Sequence, residues 1–452
     1  MDAEAGAHAA RRERLLAGLR DGGPAPGGAP LGLVKRSSNL FRDREEGAKK
    51  RLDLSEFDHV IAVDPAAGTV EVEGLASYEA LVDATLPHGV MPAVVPQLKT
   101  ITAGGAVAGV GIEATSFRQG LVHHTLRELD VLLPDGRVVT CTPDNAHRDL
   151  FFGFPNSYGT LGYALRLVLA TLPVKPYVHV RHLPFKRPDA FFRALAELCA
   201  GDADFIDGVV FGPDSAVLNL ANFVQQAPSA SDYSFEHIYY RSLLRTPDDD
   251  LRVRDYIWRW DTDWFWCSKN FGAQNPLVRR LFGRSRLNSR TYTRLMRLNA
   301  RWGLTATLAR WRGLHHESVI QDVDIPIGKA AEFLAFLLRE IGILPVWICP
   351  MRAPEGSGDF TLYPLEAGAL YVNFGFWDVV EDRSPHEAGH FNRLIEKEVL
   401  RLGGIKSLYS DSYFTREEFG VAYRIARYEA LKARYDPGNR TLHLYEKCVR
   451  RA

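Results

Sequence analysis

The stretch VPQLKTITAGGAVAGVGIEATSFRQG, residues 95–120, constrains this chain more than any other part of it. It holds Gly104, Gly105, Gly109, Gly111 and Gly120, and its only charged side chains are Lys99, Glu113 and Arg118. Glycine loses more conformational entropy on folding than any other residue, so such a run is kept where backbone must approach something closely. Within it, Gly109–Ala114 spells G-x-G-x-x-A, the pattern of a dinucleotide-binding turn, which needs a strand before it and an amphipathic helix after it. Here GGAVA precedes and TSFRQG follows, and neither has that character. The alternative is a phosphate cradle made without a helix, in which successive backbone N–H groups form an anion nest. Thr100, Thr102, Thr115 and Ser116 then offer hydroxyls to the same phosphates.

Composition enters by what it excludes. The 55 basic and 55 acidic side chains cancel over 452 residues, which argues against a nucleic-acid or general polyanion binder. Five scattered cysteines, with no C-x-x-C pair and no histidine at zinc-finger spacing, argue for a reducing compartment and against a metal centre. The N-terminus lacks the apolar region of a signal peptide, and no window reaches the roughly 18 apolar residues of a membrane span. A cytoplasmic location is expected.

Short strands parted by turn signals fill residues 31–175. HVIAVDPAAGTVEVEG and LRELDVLLPDGRVVTCTP read as hairpins, the second turning at Asp135-Gly136, and YALRLVLATLPV reads as a long strand before Pro173 and Pro176. Residues 176–430 mix helices such as PDAFFRALAELCA and AAEFLAFLLREIGI with strands such as HESVIQDVDIPI and ALYVNFGFWDV. The expected class is α+β. A first domain spans 31–175, a larger substrate or cap domain spans 176–430, and residues 1–30 form a mobile tail of polar helix and Gly/Pro linker.

The segment TAGGAVAGVGIEATSFRQGLVHHTLRELDVLLPDGRVVTCTP, followed by Gly159-Thr160-Leu161-Gly162, resembles the PCMH-type FAD-binding domain of the vanillyl-alcohol oxidase superfamily. CTPDNAHRDLFFGFPNSYGTLG, HHESVIQDVDIPI, PVWICP and LYSDSYFTREEF extend the resemblance, in order, to its delta-24 sterol reductase branch. The resemblance implies a two-subdomain FAD-binding domain with residues 431–452 returning to it. It implies FAD held by Thr100, Thr102, Ala103, Gly104, Gly105, Gly109, Gly111, Ile112, Glu113, Ala114, Ser116 and Gly120, with Gly159, Thr160 and Gly162 approaching the flavin. Many oxidases of this fold carry His-Gly where this chain has Ile112-Glu113. With no His or Cys in residues 95–120, the FAD is expected to be noncovalent.

Protonating one carbon of an isolated alkene that bears two carbon substituents at its other end leaves a tertiary cation that hydride from reduced flavin can quench. The protein must then supply a well-placed acid in an apolar pocket. If LYSDSYFTREEF begins extended, Tyr409, Asp411 and Tyr413 share one face and can polarise a phenol as proton donor. Equally, the tyrosines pack and Asp411 caps a helix starting near Thr415. His315 sits in an adjacent pair that does not suit zinc, so it either faces the flavin or serves the structure. Lys447 reaches the flavin if the chain end folds back as the resemblance implies, and is a surface lysine otherwise.

Residues 277–312 contain no acid, and Arg290, Arg294, Arg297 and Arg301 recur at helical spacing. With Trp302, Trp311 and the upstream YIWRWDTDWFW, this reads either as a surface for an anionic membrane or as a charged helix face over a core. The resulting expectation is an FAD-dependent reductase of an isolated C=C bond in a lipid, drawing electrons from NADPH and peripheral to the inner membrane face. Similar actinobacterial flavoproteins reduce 10-methylene acyl chains to 10-methyl chains in tuberculostearic acid synthesis. The lack of a membrane helix favours that substrate over a sterol, with the methyltransferase that makes the methylene lipid as expected partner. The competing expectations are a delta-24 sterol-type reductase, an FAD-dependent alcohol or sugar oxidase or dehydrogenase, and a flavin-bearing lipid-binding protein without turnover.

Overall fold

A computed structural model describes residues 2–22, 29–34, 41–42, 49–302 and 313–451. The long strand Tyr163–Pro173 buries every second side chain from Tyr163 to Thr171, the period-two signature of a half-buried strand. It is the centre of an antiparallel sheet in the order Val60–Asp64, Thr69–Glu73, Tyr163–Pro173, Leu126–Leu132, Val138–Cys141, with Val90–Pro92 pairing its far end. Both expected hairpins are in this sheet. The chain leaves it at Pro173 and enters a second sheet at Tyr177.

The second sheet is antiparallel throughout, in the order Asp248–Arg252, Tyr177–Phe185, Ser215–Val224, Phe205–Gly212, Val346–Arg352, Leu370–Asp382, His315–Pro326, Ile405–Lys406. Helices Pro188–Leu198, Ala330–Phe336 and His390–Arg401 cover one face, where Phe191, Phe333 and Ile395 meet Val323, Ile348 and Phe374 in one apolar cluster. Strand alternation sends the intervening residues, among them Asp322, Asp324, Trp347 and Asn373, to the opposite face. That polar and aromatic face looks toward the first domain.

Both chain ends are tied to the first domain. Residues 2–22, expected as a polar helix within a mobile tail, do form a helix, Asp2–Gly22, but it is packed onto the first sheet. Its His8 Nδ1 and Arg11 Nε lie 2.7 and 2.9 Å from the fully buried Glu73 carboxylate. Leu15 and Leu19 pack against Leu52, Phe57 and Leu165. At the other end, helix Ile425–Tyr435 brings Lys432 Nζ to the Thr160 carbonyl at 3.1 Å.

Candidate active site

Between the two sheets lies a cavity of about 830 Å³, within the size range of small-molecule and cofactor sites. The first domain contributes Thr100, Thr102, Gly104, Gly105, Gly109, Gly111, Ile112, Gly159 and Gly162 to its wall, with Arg51 from a small parallel strand pair, Leu31–Val34 and Lys50–Asp53, and Lys49 just before it. The second contributes Asp322, Asp324, Trp347, Asn373 and Trp377, joined by Trp264, Phe265, Tyr363, Tyr409 and Lys447. Among the described residues no histidine lines it.

The glycine segment is not the helix-free loop its sequence suggests. Ala103–Ala108 is a short helix, capped by Thr102 Oγ1 accepting from Gly105 N at 3.2 Å. A Cβ on Gly104 would stand 2.8 Å from the Gly74 carbonyl, one on Gly109 2.9 Å from the Gly105 carbonyl, and one on Gly111 2.8 Å from Pro96 Cγ. These glycines therefore let the segment lie against the protein's own backbone while its outer side forms cavity wall.

Several expected cofactor residues fall behind that wall. Ala103, Glu113, Ala114, Ser116, Gly120 and Thr160 do not line the cavity. Ser116 Oγ accepts from Glu113 N at 3.1 Å, Thr115 Oγ1 donates to the Ala93 carbonyl at 2.7 Å, and Thr160 Oγ1 donates to the Ser157 carbonyl at 2.8 Å. The Ser116 and Thr160 hydroxyls serve local turns, and that of Thr115 ties two segments together. Glu113 reaches Arg259 at 2.9 Å, and the same guanidinium nitrogen reaches Asp207 of the second sheet at 2.8 Å. Burial pushes the Glu113 carboxyl up and Arg259 restrains it, so this buried triad ties the glycine segment to the second domain.

The expected Tyr409, Asp411 and Tyr413 row is broken. Residues 407–415 are irregular apart from one bridge from Ser410 to Phe41, so period-two alternation does not hold. Tyr409 faces the cavity, whereas Tyr413 Oη accepts from Arg451 at 2.6 Å and Asp411 lies 3.6 Å from that arginine, away from the lining. Asp411 does not cap the following helix either; Thr415 does, in a capping box with Glu418. His315 sits outside the cavity, 3.1 Å from Glu317 and against the ring of His386. Lys447 does reach the wall and donates to the Tyr158 carbonyl at 2.6 Å. His123 and His124 pack against Phe360 away from the lining, and burial holds both well below their usual range.

Sequence reading missed the acids of the second sheet. Asp322 and Asp324 stand at i and i+2 of strand His315–Pro326 and so share the cavity face. Asp324 accepts from Tyr363 Oη at 2.5 Å and from Asn373 Nδ2 at 2.7 Å. Burial pushes it up to about 6 against those two hydrogen bonds. Asp322 is pushed up to about 7 by burial, opposed by a hydrogen bond with Tyr409 and reinforced by the Asp324 charge. The available signal was QDVD, two acids at strand spacing in a run otherwise fit for a core.

The aromatic motif YIWRWDTDWFW is interior: Trp260 and Trp266 are buried in the core, and Trp264 and Phe265 line the cavity with φ of 43° and 59°. Left-handed backbone at two bulky residues is strained and is held by the packing around them. Four arginines of the acid-free stretch after it pair with acids from elsewhere. Arg279 is buried and bidentate to Asp263 at 2.6 and 2.9 Å, while Arg280, Arg284 and Arg290 pair with Glu236, Asp232 and Glu79. The side chains of Arg297, Arg301 and Trp302, and all of residues 303–312 including Trp311, lie outside the described residues.

The donor set suits a flavin dinucleotide. Glycine backbone, threonine hydroxyls, Lys49 and Arg51 match an anionic pyrophosphate, and Trp264, Phe265, Trp347 and Trp377 offer flat apolar surface to a heteroaromatic ring. Among the described residues no cluster of His, Cys, Asp or Glu is arranged to hold a metal ion.

Residues 30–142 match a protein-family model described as an FAD binding domain. The chain is 28% identical over 411 residues to the Delta(24)-sterol reductase of Homo sapiens, covering 87% of this chain and 76% of that protein. It is 24% identical over 436 residues to the Delta(24)-sterol reductase of Arabidopsis thaliana, covering 88% and 76%. A decaprenylphosphoryl-beta-D-ribose oxidase from Mycolicibacterium smegmatis is 26% identical over 132 residues, 29% of this chain and 28% of that one.

Proposed function

We propose that this chain, an oxidoreductase built on an FAD-binding domain, saturates an isolated carbon–carbon double bond in a lipid with FAD bound noncovalently in the cavity. One observation carries the reading: a single cavity joins the glycine wall to two carboxyls held above their usual range among aromatic side chains. An alkene offers no lone pair to bind, so its reduction needs a carboxyl that still holds its proton at neutral pH. The similarity to sterol reductases across most of the chain supports the same reading.

FAD, when bound, supplies hydride to the substrate carbon. The glycine wall, with Thr100 and Thr102, would hold its pyrophosphate, and the tryptophans with Phe265 would exclude water and seat an apolar substrate. Lys447, tied to the Tyr158 carbonyl, fixes the C-terminal helix Leu444–Cys448 against that wall.

At finer grain we take the substrate to be a 10-methylene acyl chain of a phospholipid, reduced to the 10-methyl chain with NADPH as donor, and a methylene-forming methyltransferase to be the partner. No helix among the described residues is long and apolar enough to cross a membrane, and we take the contact with the lipid layer to be peripheral. Leu277 and Leu281 of helix Pro276–Phe282, 72% and 81% exposed, are the candidates for that contact.

An anaerobic titration tests the whole reading. NADPH is expected to bleach the flavin band, and a 10-methylene phospholipid to restore it. Recovery only with a sterol bearing a side-chain alkene would keep the reductase and replace the substrate. Bleaching by an alcohol or sugar but not by NADPH would replace the reaction.

A further inference from the structure

We propose that Asp322 is the proton donor of this site and that Tyr409 positions it. The assignment rests on the alkene-reductase reading above and deepens it.

The two cavity acids differ in how they are satisfied. Asp324 has a donor on each oxygen, Asn373 Nδ2 on Oδ1 and Tyr363 Oη on Oδ2, an arrangement that stabilises the carboxylate. Asp322 lacks such a pair: its Oδ1 is buried without a hydrogen-bond partner among the described residues. An ionised oxygen left unpaired in the interior is costly, whereas a neutral carboxyl tolerates it far better. The neighbouring Asp324 charge acts in the same direction. Two carboxyls on one strand are thus driven apart in role, one kept as the anion and the other kept protonated, the usual mark of an acid and its partner.

The surroundings fix where the Asp322 carboxyl stands. Gly375 lies directly opposite it across the strand pair, and a Cβ there would sit 2.7 Å from Asp322 Oδ1 and 2.7 Å from the Trp377 ring. The absent side chain is what lets the carboxyl and the indole share that space. Trp377 Nε1 donates to Tyr409 Oη at 2.8 Å, and indole, phenol and the Asp322 carboxyl all line the same cavity, where the phenol restrains the rise of the Asp322 carboxyl. Burial holds the Tyr409 phenol well above its usual range, which makes the carboxyl and not the phenol the acid of the pair.

The step balances without a further reagent. The alkene π pair takes the proton of Asp322, a C–H bond forms as the O–H bond breaks, and the carboxylate remains, accepting from Tyr409. The cationic carbon receives hydride, two electrons that come originally from NADPH, and the carboxylate then regains a proton from solvent. One proton and one hydride are added across the double bond.

The test separates half-reactions and adds a readout that does not depend on turnover. Asp322→Asn is expected to retain the flavin spectrum and to be bleached by NADPH at close to the wild-type rate. Its reoxidation by a 10-methylene phospholipid should be slower by about 10²- to 10⁴-fold, the range for loss of a general acid. Asp322→Glu should recover part of that loss, and Tyr409→Phe should shift the pH dependence of reoxidation. In substrate-free protein, difference infrared spectroscopy near neutrality should show one titrating carboxyl band that is lost in Asp322→Asn, with the bands of Asp324 and Glu113 remaining. Reoxidation of Asp322→Asn at the wild-type rate, or persistence of that titrating carboxyl, would overturn the assignment while leaving the reductase intact. If NADPH bleaches the wild type but neither the phospholipid nor a side-chain-unsaturated sterol restores it, the reductase reading falls and the catalytic role falls with it.

Discussion

A methyl group on Gly104 would meet the Gly74 carbonyl oxygen at 2.8 Å and Ala164 Cβ at 3.1 Å, so this glycine is required by the packing of the helix Ala103–Ala108 on the first sheet. Gly104→Val should therefore act on the fold as well as on the cofactor. An overpacked contact against backbone costs about 1–3 kcal/mol, and the variant should melt earlier than wild type even when both are stripped of flavin. A variant with unchanged flavin-free melting and lost flavin would place the side chain in the cavity instead. The contrast between Gly104 and Asp322 marks what a sequence discloses at this scale. Glycine announces itself because nothing but close approach keeps five of them together. Asp322 and Asp324 do not, because alternating acids in HESVIQDVDIPI fit a solvated strand face equally well, and only the second sheet's packing against the first domain turns that face inward.

Elements were most legible where local chemistry suffices. The hairpins, the Pro173 to Pro176 passage between sheets and the helix after Thr415 follow from turn residues, alternation and capping. The docking of the N-terminal helix does not, because its reason is a single anion 65 residues away: Glu73, beneath His8 and Arg11. Burial opposes the Glu73 charge, but hydrogen bonds from His8, the His59 backbone and Arg11 outweigh it and hold the carboxyl below its ordinary value of 4.5. A depressed carboxylate contributes stability that is fully present above that ordinary value and lost as pH falls through the lower folded one. Arg11→Ala removes one partner of a buried charge and should cost about 3 kcal/mol in urea unfolding at neutral pH, with the deficit shrinking in acid as Glu73 takes up a proton in both proteins. Because Gly74 and Leu75 line the cavity, the same variant should also weaken flavin retention. Equal unfolding midpoints for the two proteins at neutral pH would mean that the helix is dispensable to the domain it covers.

For the molecule as a whole, the sequence misleads most about surfaces, since charge along a chain is not charge in space. Residues 277–312 carry no acid of their own, yet four of the described arginines there find one on another segment, and the aromatic run before them is core. With those four arginines paired, the proposed membrane contact is assigned first to the leucines. Leu277 and Leu281, one turn apart and both open to solvent, would each gain about 2 kcal/mol on leaving water for an acyl layer. Together they would supply roughly a thousandfold in partition before the cost of immobilising the protein, which leaves weak and reversible attachment. Vesicle cosedimentation is accordingly expected to show binding that depends little on anionic lipid or salt, and Leu277→Glu with Leu281→Glu should lower it at least tenfold while leaving the flavin spectrum unchanged. Binding that vanishes at moderate salt but survives the double substitution would return the contact to the arginines, beginning with the exposed Arg286 and Arg294.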